Sequence, residues 1–130
     1  MTEPLLHVER DGHVATLIFN DPERLNARTE SMGVAISEEM GRLAGEDELA
    51  AVVITGAGRA VSAGGDLDML DRMGSAGRGD PGGPTRQQNR DFMGRFYRLY
   101  LSLRDLPQPT IAAVNGHAIG AGCCVALACD

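Results

Sequence analysis

Two short stretches offer backbone, rather than side chains, as the chemically active part of the sequence. They are Ser62-Ala63-Gly64-Gly65-Asp66-Leu67 and Asn115-Gly116-His117-Ala118-Ile119-Gly120-Ala121-Gly122. Each follows a short apolar run and precedes a helical pattern. A Gly-rich turn between a strand and a helix exposes unpaired N–H groups at the positive end of the helix dipole. Two such turns side by side would aim a pair of donors at one anionic oxygen, the requirement for stabilising an enolate or a tetrahedral thioester intermediate. The same glycines could instead serve only as tight turns, since a lone Gly-rich segment is weak evidence. Dinucleotide binding is a third reading. It fits poorly, because Gly56-Ala57-Gly58 and Gly120-Ala121-Gly122 both lack the third glycine of that fingerprint.

The residue inventory removes other chemistries. All 12 basic residues are Arg, so no Schiff-base, phosphate-loop or general-base lysine exists. No basic stripe with interleaved aromatics is present, the net charge is −6, and nucleic acid is not an expected partner. The 3 cysteines, Cys123, Cys124 and Cys129, are odd in number and lack C-x-x-C spacing, which argues against a disulfide framework and a zinc site alike. No metal is expected. The apolar runs are too short to span a bilayer and no signal-like stretch opens the chain, so a cytoplasmic protein without membrane contact is the expectation. With 130 residues, 43% of them hydrophobic, one domain is expected.

The elements that must hold the two turns can be read from periodicity. Leu5 to Arg10 and Val14 to Phe19 alternate as strands about Asp11-Gly12, a hairpin signal. Thr29 is a plausible N-cap for a helix reaching Ala44, with Met32, Ala35, Ile36, Met40 and Leu43 on one face. Ala51 to Thr55 and Thr110 to Val114 are apolar runs of the kind buried on both sides. A short helix through Met73 should follow Leu67, and residues 74–84, opening at Gly74 and closing at Pro84, read as a mobile Gly/Pro-rich loop. Thr85 and Gln88 form a capping box. The helix behind it should bury Phe92, Phe96, Leu99 and Leu103 until Pro107 and Pro109 end it. Strands feeding helices through Gly turns indicate an α/β fold with its active centre at those turns.

The motifs together resemble the crotonase (enoyl-CoA hydratase/isomerase) family. The landmarks, in the family's order, are Asn20-Asp21-Pro22 with Leu25-Asn26-Ala27, Val52-Val53-Ile54-Thr55-Gly56, and Ser62-Ala63-Gly64-Gly65-Asp66-Leu67. Pro109-Thr110-Ile111-Ala112-Ala113-Val114-Asn115-Gly116, Gly120-Ala121-Gly122-Cys123 and Ala126-Leu127-Ala128-Cys129-Asp130 follow. The resemblance implies a crotonase-like ββα spiral (ClpP/crotonase type). Residues 1–130 would be the N-terminal part of its single domain, cut before the C-terminal helices. It also implies an acyl-CoA substrate, with coenzyme A entering as part of the substrate and no separate cofactor. The oxyanion hole would be the N–H groups of Gly65 and Ala121. Arg24, Leu25 and Ala27, with Ala63, Asp66 and Leu67, would hold the CoA moiety. A trimer or hexamer is implied only if the C-terminal half is present.

Two departures bear on the reaction. Cys124 stands where the hydratase pattern has its first catalytic Glu, and the second Glu of that pattern falls beyond Asp130. Hydration of an enoyl double bond needs one carboxylate to activate water and another to deliver a proton. Classical hydratase activity is therefore in doubt, and enolate chemistry of the isomerase kind fits better. The alternative is a non-catalytic acyl-CoA binder or an inert relic. Cys124 can be read as a nucleophile near a helix N-terminus or as a small apolar filler. His117 either lines the pocket or serves structure. Arg59 either meets a CoA phosphate or simply keeps the surface charged. Asp66 is expected to orient its loop, and Asp130 to be structural.

Overall fold

The computed structural model describes residues 3–130. Strands β1 (Leu6–Asp11) and β2 (Val14–Phe19) form the expected antiparallel hairpin, pairing Leu6 with Phe19 and Asp11 with Val14. Gly12 makes the turn at φ 57°, a conformation that costs glycine nothing. Strand β3 (Ala51–Gly56) lies parallel to β2, and the short β5 (Thr110–Ala112) lies parallel to β3, giving the order β1-β2-β3-β5. A second, two-stranded sheet pairs β4 (Ala60–Ser62) with β6 (His117–Ala118) in parallel. It is this small sheet that brings the two Gly-rich turns together.

The helices are α1 (Glu30–Ala44), α2 (Leu67–Arg78), α3 (Arg86–Tyr100) and α4 (Ala121–Leu127). Thr29 caps α1 by accepting from Met32 N–H, and Thr85 with Gln88 completes the capping box of α3. Met32, Ile36, Met40 and Leu43 of α1 pack with Ala15, Leu17 and Phe19 of β2, Val52 and Ile54 of β3, and Phe96 and Tyr100 of α3. With no Trp in the chain, aliphatic side chains dominate this core.

Four expectations need correction. The segment read as a loop from Gly74 is helical to Arg78. The helix has an Asp66 N-cap at one end and a left-handed Gly79 (φ 72°) at the other, so composition alone misplaced its stop. Helix α3 ends at Tyr100, ahead of Pro107, because a 3-10 turn over Ser102–Asp105 takes over and carries Leu103 into the core. Its deepest residues are Phe96 and Tyr100, while Phe92 and Leu99 are half-buried. Finally, β3 and β5 are not buried on both faces. Alternate residues of β3 point inward, and on β5 and the residues beyond it Ile111 and Val114 are 53% and 55% exposed, because β5 is a sheet edge.

Candidate active site

The loop before α1 is built on two residues that accept a costly backbone. Leu25 and Asn26 have φ of 52° and 53°, which non-glycine residues adopt rarely. Asn26 holds this conformation by hydrogen bonding in three directions. Its Oδ1 accepts from Asp21 N–H at 2.8 Å, and its Nδ2 donates to the carbonyls of Ala57 at 3.0 Å and Ala60 at 2.8 Å. The side chain is fully buried, so each of these bonds satisfies an atom that water cannot reach. Local strain fixed by buried bonds is a recurring feature of functional loops.

That loop lies along the first Gly-rich turn like an extra strand. Ala63 N–H donates to Leu25 O at 2.9 Å, Arg28 N–H to Gly64 O at 2.8 Å, and Asp66 N–H to Arg28 O at 3.2 Å. The Asp66 carboxylate accepts from Met69 N–H at 3.1 Å and pairs with the Arg24 guanidinium. It thus caps α2 and anchors the loop at once, the orienting role expected of it. Between the two segments opens a cleft of about 450 Å³ lined by Arg24, Leu25, Ala27, Ala63, Gly64, Gly65, Asp66 and Leu67, with Glu23 and Asp68 at its margin. Every residue named from the sequence for the CoA moiety lines this one cleft.

The second Gly-rich turn presses against the first at two glycines, Gly64 and Gly122. Gly64 has φ 102°, and a Cβ there would fall 2.9 Å from Ile119 O and 3.9 Å from Ala121 N. Ile119 N–H donates to Ser62 O at 3.0 Å, and a Cβ on Gly122 would strike the same carbonyl at 2.6 Å. Gly120 enters α4 at φ 54°, leaving Ala121 as its first residue with no intrahelical acceptor for its N–H. Among the described residues, neither Gly65 N–H nor Ala121 N–H donates a hydrogen bond. Asn115 ties the second turn to the β3–β4 corner, donating from Nδ2 to Gly56 O at 2.8 Å and Gly58 O at 2.9 Å.

The remaining candidates lie apart from the cleft lining. Cys124 is exposed, one helical turn beyond Gly120, to whose carbonyl its N–H donates at 3.0 Å. His117 is exposed and spends its backbone pairing β6 with Ala60 of β4. Arg59 occupies the tight corner whose carbonyl a Cβ on Gly116 would strike at 2.1 Å. Asp130 accepts from Thr110 N–H at 2.9 Å and fastens the end of α4 to β5.

Sequence reasoning gave no role to Arg28. It is fully buried between the rings of Phe19 and Tyr100, at 3.9 and 5.0 Å from their centroids, and no carboxylate pairs with it among the described residues. Desolvation pushes the guanidinium down to about 10, against a smaller opposing pull from Tyr100. Its Nε and Nη2 have no acceptor among the described residues. A charge in the middle of an apparent loop gives no sequence signal of burial.

Comparison with known proteins places this geometry in context. A family model described as enoyl-CoA hydratase/isomerase matches residues 14–130. A probable enoyl-CoA hydratase of Mycobacterium tuberculosis is 42% identical over 120 residues, covering 92% of this chain and 43% of the relative. The 1,2-epoxyphenylacetyl-CoA isomerase of Escherichia coli is 40% identical over 127 residues, covering 97% of this chain and 45% of its own. The crystal structure of an enoyl-CoA hydratase of Mycobacterium smegmatis superposes with a TM-score of 0.80 at 36% identity, over 98% of this chain and 46% of that one. The chain thus spans less than half the length of these relatives.

Proposed function

The chain belongs to the enoyl-CoA hydratase/isomerase family, and from that premise we propose that it binds an acyl-CoA thioester with the carbonyl oxygen between Gly65 N–H and Ala121 N–H. The observation that carries this reading is the pair of unpaired N–H groups on backbone segments pressed together at Gly64 and Ile119. Donors fixed in place before reaction stabilise the charge that develops on a thioester oxygen without reorganisation, and removing one such donor typically costs about 3 kcal/mol of transition-state stabilisation. The CoA moiety occupies the cleft between Arg24–Leu25–Ala27 and Ala63–Asp66–Leu67, where exposed Leu67 offers an apolar wall.

For the reaction itself, we favour enolate chemistry of the isomerase kind over classical hydration. Cys124 cannot take the part of a water-activating carboxylate, and Asp66 is committed to Arg24 and to Met69 N–H. The general acid of a complete reaction would then come from outside these 130 residues. That same commitment of Asp66 supports the second reading, an acyl-CoA binder without turnover. Titration with acetoacetyl-CoA, an enolate-like ligand, beside free CoA tests the proposal. Tighter binding of the thioester is expected, and equal or absent binding of both would overturn it.

A further inference from the structure

A cavity of about 660 Å³ lies between the C-terminal half of α2 and the first turns of α3. Its walls combine Met73 and Phe92 with two guanidinium groups, Arg72 and Arg95, and one carboxylate, Asp91. Among the described residues neither arginine has a salt-bridge partner, whereas Arg10, Arg24, Arg42 and Arg78 are all paired. Two guanidiniums against the one carboxylate, which also accepts from Gln87 Nε2 at 2.9 Å, leave the wall net positive.

This cavity is connected to the oxyanion site by an apolar path along α2. A Cβ built on Gly65 would touch Met69 and Leu70 at 3.3 and 3.4 Å. Met73 lies one turn further on the same face as Met69 and Leu70, and it opens onto the cavity. Leu70 is 47% exposed and Met73 half-buried, so the helix offers open apolar surface from Leu70 to Met73, while Met69 beside them is buried in the core. From Asp66 to Met73 the helix rises about 10 Å. An extended acyl chain of about eight carbons covers that distance at roughly 1.3 Å per carbon.

We propose that, given an acyl-CoA bound as above, this protein selects acyl groups of medium length that end in a carboxylate, the ω-carboxyl meeting Arg72 and Arg95. The chain would follow Leu70 and Met73 past Phe92, and its terminal charge would supply the acid that the two arginines lack. A terminal methyl group of equal length would leave both guanidiniums facing an apolar end.

The test compares suberyl-CoA with octanoyl-CoA, which match in length and differ in the terminal group, by calorimetric titration of this chain. The wild type is expected to bind suberyl-CoA about fivefold more tightly, the scale of partly solvated ion pairs. The double variant Arg72→Met/Arg95→Met is expected to abolish the preference while leaving octanoyl-CoA affinity within about twofold. Arg98→Met, outside the cavity, should keep the preference and so exclude a net-charge effect. Equal affinities in the wild type, or a preference that survives the double substitution, would overturn the proposal alone. Failure of free CoA and both thioesters to bind would instead overturn the acyl-CoA reading on which it rests, and this proposal with it.

Discussion

Asn26 and Arg28 hold opposite ends of the same short loop by different physics. Replacing Asn26 by Ala strands the Asp21 N–H and the Ala57 and Ala60 carbonyls and leaves two left-handed residues unsupported. A loss of about 3 kcal/mol is expected, read as a lower urea midpoint at unchanged slope. For Arg28 the expectation is different, because a buried charge that is exchanged for an apolar side chain of similar length is often tolerated. Arg28→Met should fold, and its stability relative to wild type should change with pH. The native guanidinium sits near 10, below its ordinary value, so the folded chain binds fewer protons than the unfolded chain above about pH 10, and Arg28 adds stability as pH rises from there. Tyr100 acts in the reverse sense: burial raises its phenol above the usual 10.0, so its contribution is present below that value and is lost as pH rises through the folded-state value. Removing Arg28 leaves the Tyr100 effect unopposed, and the variant should lose ground to wild type as pH rises above about 10 in urea titrations. A constant difference across that range would contradict this assignment. Of these two residues the sequence pointed only to Asn26, as part of a family landmark; burial of an arginine between two rings is set by distant elements that no local pattern records.

At the scale of elements, the site depends on three glycine contacts and one cap. Gly64→Ala forces a Cβ against Ile119 O from a backbone that only glycine adopts freely. It should separate the two turns and remove most of the preference for acetoacetyl-CoA over CoA in paired titrations, even where the chain still folds. Asp66→Ala removes the N-cap of α2 and the Arg24 pair, and about 1 kcal/mol of stability should go with the cap. Much of this framework was legible in advance. The hairpin about Gly12, the Thr29 cap and the Thr85–Gln88 box are local signals, and local signals survived tertiary packing. The end of α2 was not legible, since Gly74 and Gly77 look like loop residues until Gly79 is seen in the left-handed region. Nor was the end of α3, where a 3-10 turn rather than a proline takes over. The two Gly-rich turns could be found by composition, but their contact depends on the pairing of β4 with β6, strands too short to announce themselves.

Across the molecule as a whole, four of the exposed large apolar residues lie at one end of the sheet and on the elements that follow it. Ile111, Val114, Ile119 and Leu127 are 53%, 55%, 54% and 79% exposed around the β5 edge and α4. Exposed apolar side chains beside an open strand edge favour association. Sedimentation of the chain at rising concentration should show self-association, and Ile111→Glu should shift it toward monomer; a chain that stays monomeric throughout would contradict this. These residues flank the Gly120–Ala121 turn in sequence, so association and ligand binding are expected to be coupled through α4, with thioester affinity changing as the concentration rises.

The central claim is that two particular backbone N–H groups receive the thioester oxygen. Amide NMR of the 15N-labelled chain addresses it directly, because a proton entering a strong hydrogen bond to an enolate-like oxygen moves downfield. On adding acetoacetyl-CoA, the Gly65 and Ala121 amides should both shift downfield, while free CoA should perturb the residues lining the cleft and leave those two amides in place. Binding of acetoacetyl-CoA with Gly65 and Ala121 unmoved would contradict the account.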